Sequence, residues 1–152
     1  MENIPQIGKV TWIGVRPKTR EKINELQEVT VDNSGLVGDR YKKDAGNRAV
    51  TLIQAEHLPV IQSILNLSDL HPSTLRRNIV VKGINLLALK DKKFKIGTAV
   101  LEMTGYCHPC SRMEEALGDG GYNAMRGHGG ITAKVIENGT INIGDEVSLL
   151  TE

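Results

Sequence analysis

Aromatic side chains are almost missing from this chain of 152 residues: there is one Phe, one Trp and three Tyr. Its core must therefore be filled by Ile, Leu and Val, and the aromatic platforms on which nucleic-acid bases stack are not expected. Cysteine is equally scarce. Cys107 and Cys110 are the whole supply, and two thiols three positions apart cannot build a disulfide framework. Neither sign of charge dominates, since 19 Lys and Arg face 18 Asp and Glu for a net charge of +1. That balance gives no general attraction to nucleic acid or to an anionic membrane, so any anion site must be local. Long apolar runs are missing too. None approaches the roughly 20 residues of a membrane-spanning helix, and no apolar run after Met1-Glu2-Asn3 reads as a signal peptide. The expectation is a cytoplasmic protein with reduced thiols and no nucleic-acid or membrane partner.

What is present reads as a folded domain. Hydrophobic residues make up 39% and charged residues 24%, an ordinary globular balance. The length suits one domain spanning residues 1–152, and folding can bury about 70% of its surface without a staple.

β-branched, alternating segments predict strands over Gly8–Arg16, Leu26–Val31, Arg48–Ile53, Asn78–Lys82, Phe94–Gly97, Ala99–Thr104, Ile131–Glu137, Thr140–Ile143 and Glu146–Leu150. Lys18–Lys22 and the glycine-bearing Asp32–Gly46 and Asp119–Gly130 read as loops. Gln54–Leu65 has helical spacing interrupted by Pro59, so a short helix is expected to begin near Pro59 or to kink there. Ile84–Leu89 is ambiguous. Pro109–Leu117 reads as a short helix, with Pro in its first turn and Gly118 beyond its end. Asn138-Gly139 is the best hairpin turn. Strands joined mostly by loops, without βαβ alternation, predict a mainly β fold. The expected architecture is a closed or partly open β-barrel with two or three short helices.

The segment Gly105-Tyr-Cys-His-Pro-Cys-Ser-Arg-Met113 carries the most chemistry. Placed in a first helical turn, Cys110 would sit where an anion is favoured, with Arg112 near, which singles it out from Cys107 as the reactive thiol. Four readings stay open. The thiols could be inert core residues. They could be a thioredoxin-like dithiol, although the βαβ context is missing and Pro109 is the last proline. They could be half of a zinc site, although His57, His71, His108 and His128 are scattered. Or one thiolate could ligate a metal or carry sulfur.

Thr74-Leu-Arg-Arg-Asn78 puts two arginines side by side. In an extended chain they face opposite ways, so at most one enters a common pocket; Arg76 reads as a solvated loop charge. Arg126-Gly-His-Gly-Gly130 reads either as a loop or as a nest of N–H groups for an anion. His57 reads as a core or surface residue, and Glu114 and Glu115 as ordinary helix charges.

Taken in order, several segments resemble the MOSC domain, the module named for the C-terminal part of molybdenum cofactor sulfurase. They are Gly35-x-x-Gly-Asp-Arg40, Arg48-Ala-Val-Thr-Leu-Ile53, Leu75-Arg-Arg-Asn-Ile-Val-Val-x-Gly-Ile84 and Phe94-x-Ile-Gly-x-Ala-Val-Leu-Glu102. Cys107-x-Pro-Cys110, Gly129-Gly-Ile-x-Ala-x-Val135 and Gly139-x-Ile-x-x-Gly-Asp-x-Val147 complete the series. The resemblance implies a β-barrel like the one inserted in pyruvate kinase. It also implies binding of the molybdenum cofactor, a pyranopterin dithiolene with a terminal phosphate. Cys110 matches the family's reactive thiol, which ligates molybdenum in some members and is proposed to carry persulfide in others. Arg77 and Asn78 match a stretch at the cofactor's anionic end, and Arg126, Gly127 and Gly129 match a loop near the same pocket. One departure is Tyr41, where the family often has His.

The implied partners are the pyranopterin and a molybdoenzyme, a sulfur donor or an electron-donor protein. Two functions follow by resemblance. One is a cofactor-binding or sulfur-carrier module acting through Cys110. The alternative is a molybdenum-dependent reductase of N-hydroxylated compounds with a separate electron donor. No electron-transfer extension is expected beyond the module, which favours the first; whether the chain is an enzyme stays open.

Overall fold

The computed structural model describes residues 3–18, 21–40 and 46–151. Tyr41 and part of the loop expected at Lys18–Lys22 lie outside them. The strands are β1 (Gly8–Val15), β2 (Asn24–Glu25), β3 (Glu28–Asp32), β4 (Gly35–Leu36), β5 (Val50–Gln54) and β6 (Ile79–Lys82). They continue with β7 (Lys93–Ile96), β8 (Ala99–Tyr106), β9 (Ile131–Glu137), β10 (Gly139–Asn142) and β11 (Glu146–Leu149). Three short helices, α1 (His57–Ile64), α2 (Ser111–Leu117) and α3 (Gly121–Met125), lie between them.

Seven strands close on themselves in the order β1-β11-β7-β8-β9-β5-β6 and back to β1. The result is the closed β-barrel that the strand pattern predicts. Closure matters physically, because it leaves no unpaired strand edge around the ring. β10, β3 and β4 form a small separate sheet, and β2 pairs with the end of β1.

The barrel interior is filled by aliphatic side chains and the single phenylalanine. Ile13, Leu52, Ile79, Phe94, Ile96 and Leu101 are fully buried there. A second cluster lies outside the wall. Trp12, Ile53 and Val80 point away from the barrel and pack with Ile61 of α1, Met113 of α2 and Met125 of α3. Successive strand residues face opposite ways, so Leu52 and Ile53, or Ile79 and Val80, serve one cluster each. That explains why β5 and β6 read as continuous apolar runs rather than alternating ones: both faces are covered.

Several expectations change. β5 and β6 are parallel neighbours, with Leu52 opposite Ile79, and α1 lies in the connection between them. One βαβ crossover therefore exists inside an otherwise antiparallel barrel; the long polar stretch after α1 concealed it. Pro59 does lie near the start of α1, as expected, since the helix begins at His57. It is the third residue of the helix, where its missing N–H is among those without an intrahelical partner anyway. Ile84–Leu89 resolves into a 3-10 turn at Leu86–Leu89, capped by the Asn85 side chain.

Asn138-Gly139 is not a hairpin turn. β10 pairs with β3, with Gly139 opposite Val31, so the chain leaves the barrel there instead of folding back on β9. The loop expected over Asp119–Gly130 contains α3. The Glu114 carboxylate accepts hydrogen bonds from the Gly120 and Tyr122 N–H groups at 3.1 and 2.9 Å, so it is not an ordinary helix charge. Those two bonds, Tyr122's first, hold its carboxyl below the ordinary glutamate value. Finally, α2 begins at Ser111 with Cys110 as its N-cap residue. Pro109 therefore precedes the helix rather than opening its first turn.

Candidate functional site

The ends of β1, β5 and β6 and the start of α2 converge on one face of the barrel. Asn78 ties three of these elements together. Its Oδ1 accepts from the Thr51 N–H and hydroxyl at 3.1 and 3.2 Å. Its Nδ2 donates to the Gly14 carbonyl at 3.1 Å and to Asp39 Oδ2 at 3.3 Å. Asp39 in turn accepts the Arg16 N–H at 2.9 Å through Oδ1. Every polar atom of the Asn78 side chain is thus used to join strands, which is what a buried amide requires.

Above this knot lies a cavity of about 500 Å³, within the range of small-ligand pockets. Among the described residues its wall carries six arginines, Arg16, Arg40, Arg48, Arg76, Arg77 and Arg112, against one carboxylate, Asp39. Cys107, His108 and Cys110 complete one side. A nearly neutral chain has concentrated positive charge in one hollow.

The arginines are held in different ways. Arg77 is buried, with 6% of its surface exposed. Its Nε donates to the Gly129 carbonyl at 2.7 Å and its Nη1 to the Leu75 carbonyl at 3.0 Å. Its Nη2 is buried without a hydrogen-bond partner. Arg16 donates Nε to the Glu21 carbonyl at 2.8 Å. Arg76 sits in the left-handed region, at φ 61° and ψ 33°, after a 3-10 turn over Pro72–Leu75. The chain there is not extended, so Arg76 and Arg77 both line the cavity, against the expectation that at most one would. Nor is Arg76 a solvated loop charge. It is half-buried, and burial, then Arg16 and Arg112, hold it below the ordinary arginine value while Cys110 opposes. Arg16 is lowered as well, by burial first, with Asp39 pulling it back and Arg40 and Arg112 pushing down. In both guanidiniums burial is the first cause of the lowering, and neighbouring arginines add to it.

Both cysteines are free thiols; Cys107 is buried and Cys110 exposed. Cys110, Arg77 and Asn78 therefore share one cavity. Arg126 is exposed and does not line it. Gly127 and Gly129 line a separate hollow of about 290 Å³ behind the Cys107–Pro109 segment, with Leu87 and Tyr106. Gly129 meets the arginine cavity only through its carbonyl bond to Arg77. Two residues are packed too tightly to carry a side chain. A Cβ on Gly129 would come within 2.2 Å of the Cys107 carbonyl, and one on Gly130 within 1.9 Å of the Leu52 carbonyl. The glycines hold the cysteine segment close against β5.

Arg16, Arg48, Arg112 and Thr51 were not among the site residues that sequence reasoning picked. Arg48 opens one of the motifs quoted above, which was its available signal. Arg16 follows β1 directly and had none. Among the described residues, no group of three or more His, Cys, Asp or Glu is placed to hold a metal ion.

The family profile of the MOSC domain matches residues 27–148. The chain belongs to the MOSC domain family. No curated protein matched the sequence. Among solved structures, the YuaD protein from Bacillus subtilis superposes with a TM-score of 0.83 at 19% identity, covering 97% of this chain and 98% of that one. YiiM from Geobacillus stearothermophilus gives a TM-score of 0.77 at 19% identity, covering 95% and 75%. YiiM from Escherichia coli gives 0.74 at 16% identity, covering 95% and 70%. At these identities the likeness establishes the MOSC barrel as a fold. The family itself is associated with the molybdenum cofactor. Among the described residues, no helix of this MOSC chain is long and apolar enough to cross a membrane.

Proposed function

We propose that this MOSC domain binds the molybdenum cofactor in the arginine-lined cavity, with Cys110 as the thiol that meets the metal or carries sulfur to it. The observation that carries the reading is a cavity in which, among the described residues, six arginines face a single carboxylate, one of them the buried Arg77, whose Nη2 has no hydrogen-bond partner. Leaving a buried N–H of a charged group unpaired is costly, and an anion beside it removes that cost. The residues present therefore fit a phosphorylated group.

Arg77 would present its free arm to a phosphate oxygen, with Arg48 and Arg40 adding charge-assisted bonds. Asn78 would act indirectly, holding Asp39 and the strand ends that position these arginines. Cys110, exposed at the cavity wall, offers one soft sulfur ligand. With no other metal-holding cluster among the described residues, the remaining ligands would come from the cofactor itself. When bound, that group supplies two-electron redox chemistry at molybdenum.

The test is to purify wild type and Cys110→Ser from a host that makes the cofactor. Molybdenum, released pterin and persulfide sulfur are then measured per chain. The reading expects pterin in both proteins and a loss of molybdenum or persulfide sulfur in the variant. Equal molybdenum and equal persulfide in both would overturn the role of Cys110.

A further inference from the structure

The hollow of about 290 Å³ behind the Cys107–Pro109 segment shares Cys107 and His108 with the arginine cavity, but its chemistry is the reverse. Among the described residues, no Asp, Glu, Lys or Arg lines it. Leu87 and Tyr106 stand at it with 36% and 46% of their surface exposed. Pro109 and Cys107, both buried, continue the apolar wall. Two large apolar side chains left in water beside one hollow mark a binding site better than singly scattered ones do. The Lys90 ammonium lies 5.7 Å from the centroid of the Tyr106 ring, a cation–π contact that steadies the ring.

Backbone packing keeps the space open. Gly127, Gly129 and Gly130 line it. Gly129 and Gly130 press against the carbonyls of Cys107 and Leu52, which leaves no room for a Cβ on either. A Cβ on Gly127 would meet no atom within 4 Å. The loop therefore supplies a floor and no side chain to fill the space above it.

We infer that this hollow is a binding site for a small uncharged molecule of one or two aromatic rings, and that its occupancy is felt at Cys110. The inference does not depend on what fills the arginine cavity. Size sets the first limit. An apolar cavity of about 150 Å³ takes one benzene ring, so 290 Å³ suits one or two rings. A partner helix, about 10–12 Å across with its side chains, is too thick to enter. Charge sets the second limit, because an ion would lie against apolar walls without a counter-charge. The lining also offers two polar handles, the His108 imidazole and the Tyr106 hydroxyl, as apolar ligand sites do to orient a bound ring. The link to the thiol is short. Pro109 is bonded directly to Cys110. The Cys107 N–H donates to the Gly130 carbonyl at 2.8 Å, and the Gly129 carbonyl accepts from Arg77 Nε at 2.7 Å. An occupant thus touches both the segment that carries the thiol and the loop that holds the buried arginine.

The experiment titrates the purified full chain with indole, phenol and glycerol, followed by amide shifts in proton–nitrogen NMR. The variants are Leu87→Glu and Tyr106→Ala at the hollow, and Ile64→Glu on the exposed side of α1 as a control for general apolar adhesion; all three positions are exposed, so the core stays intact. Indole and phenol should give saturable shifts centred on Leu87, Tyr106, Gly127, Gly129 and Gly130. Their dissociation constants should fall at about 0.1–10 mM, ordinary for ligands of this size. Glycerol should give none. Leu87→Glu and Tyr106→Ala should each weaken binding by about fivefold or more, while Ile64→Glu stays within about twofold. Saturating indole should change the rate at which iodoacetamide labels Cys110 in wild type and leave it unchanged in Leu87→Glu. No saturable shifts, shifts centred elsewhere, equal shifts from glycerol, or binding indifferent to both hollow variants overturns the site. Binding with an unchanged Cys110 rate overturns its connection to the thiol.

Discussion

Replacing Asn78 by Asp changes one atom's chemistry at the point where β1, β5 and β6 meet. The shape is kept, and one carboxylate oxygen can still accept from Thr51 as Oδ1 does now. The other oxygen replaces a donor that serves the Gly14 carbonyl at 3.1 Å and Asp39 at 3.3 Å. Leaving the Gly14 carbonyl unserved costs about 1–3 kcal/mol. Two carboxylates at that separation repel by at most about 5 kcal/mol at an effective dielectric of ~20. Partial protonation trims the second figure, and a loss of about 3–5 kcal/mol is expected.

At this chain length that corresponds to a melting point lower by about 10 °C. The loss carries a pH signature. Burial beside Asp39 raises the folded-state pKa of the new carboxyl above its unfolded value, so the penalty is complete above the folded pKa and fades as pH falls through it. Asn78→Ala, which removes the same bonds without adding charge, should be destabilised by a pH-independent amount. Urea denaturation of the three proteins at pH 7 and pH 4.5 measures both. An Asn78→Asp variant within about 1 kcal/mol of wild type would refute the structural role given to this residue, as would a pH-independent gap.

Other consequences are simpler. Gly130→Ala must place a Cβ at φ +90° and 1.9 Å from the Leu52 carbonyl, so it should lose about 3 kcal/mol or more, seen as a reduced urea midpoint. Iodoacetamide should label exposed Cys110 well before buried Cys107, with adducts located by mass spectrometry, and bound pyrophosphate should slow the reaction; equal labelling of both would contradict the burial difference. His57 lies edge-on to His128 with ring centroids 5.1 Å apart. Burial, then His128, hold it below its ordinary value of 6.5 against the pull of Glu56. The folded chain therefore binds this proton less readily than the unfolded chain, and stability present above 6.5 is lost as pH falls below it. Thermal melts from pH 7.5 to 5.5 should decline less steeply in His57→Phe than in wild type, and equal slopes would refute the assignment.

The barrel was readable because its strands carry period-two and β-branched patterns that do not depend on distant partners. What was not readable depended on such partners. Asn138-Gly139 has the composition of a hairpin turn, but its neighbour in space is β3, more than a hundred residues earlier. α3 is five residues long and glycine-led, so nothing local announces it; the Glu114 carboxylate that starts it belongs to the preceding helix. In the site, Cys110, Arg77 and Asn78 stood out because each sits in a short motif. Arg16 is a single arginine in ordinary surroundings, and only closure of the barrel brings it to the same wall as Arg112, which the sequence already places beside Cys110. The left-handed turn at Arg76 could not be anticipated either, since a pair of arginines before a strand reads as extended chain.

The central claim is that the arginine cavity holds a phosphorylated pterin. The measurement that tests it most directly is the pterin-to-protein ratio of chain purified from a cofactor-producing host, by fluorescence after oxidative release. Wild type is compared with Arg48→Gln/Arg112→Gln, two changes on the cavity wall outside the barrel core. The account expects a ratio near one in wild type and near zero in the double variant, with unchanged circular dichroism. Wild type without pterin, or a folded double variant that keeps it, would contradict the account.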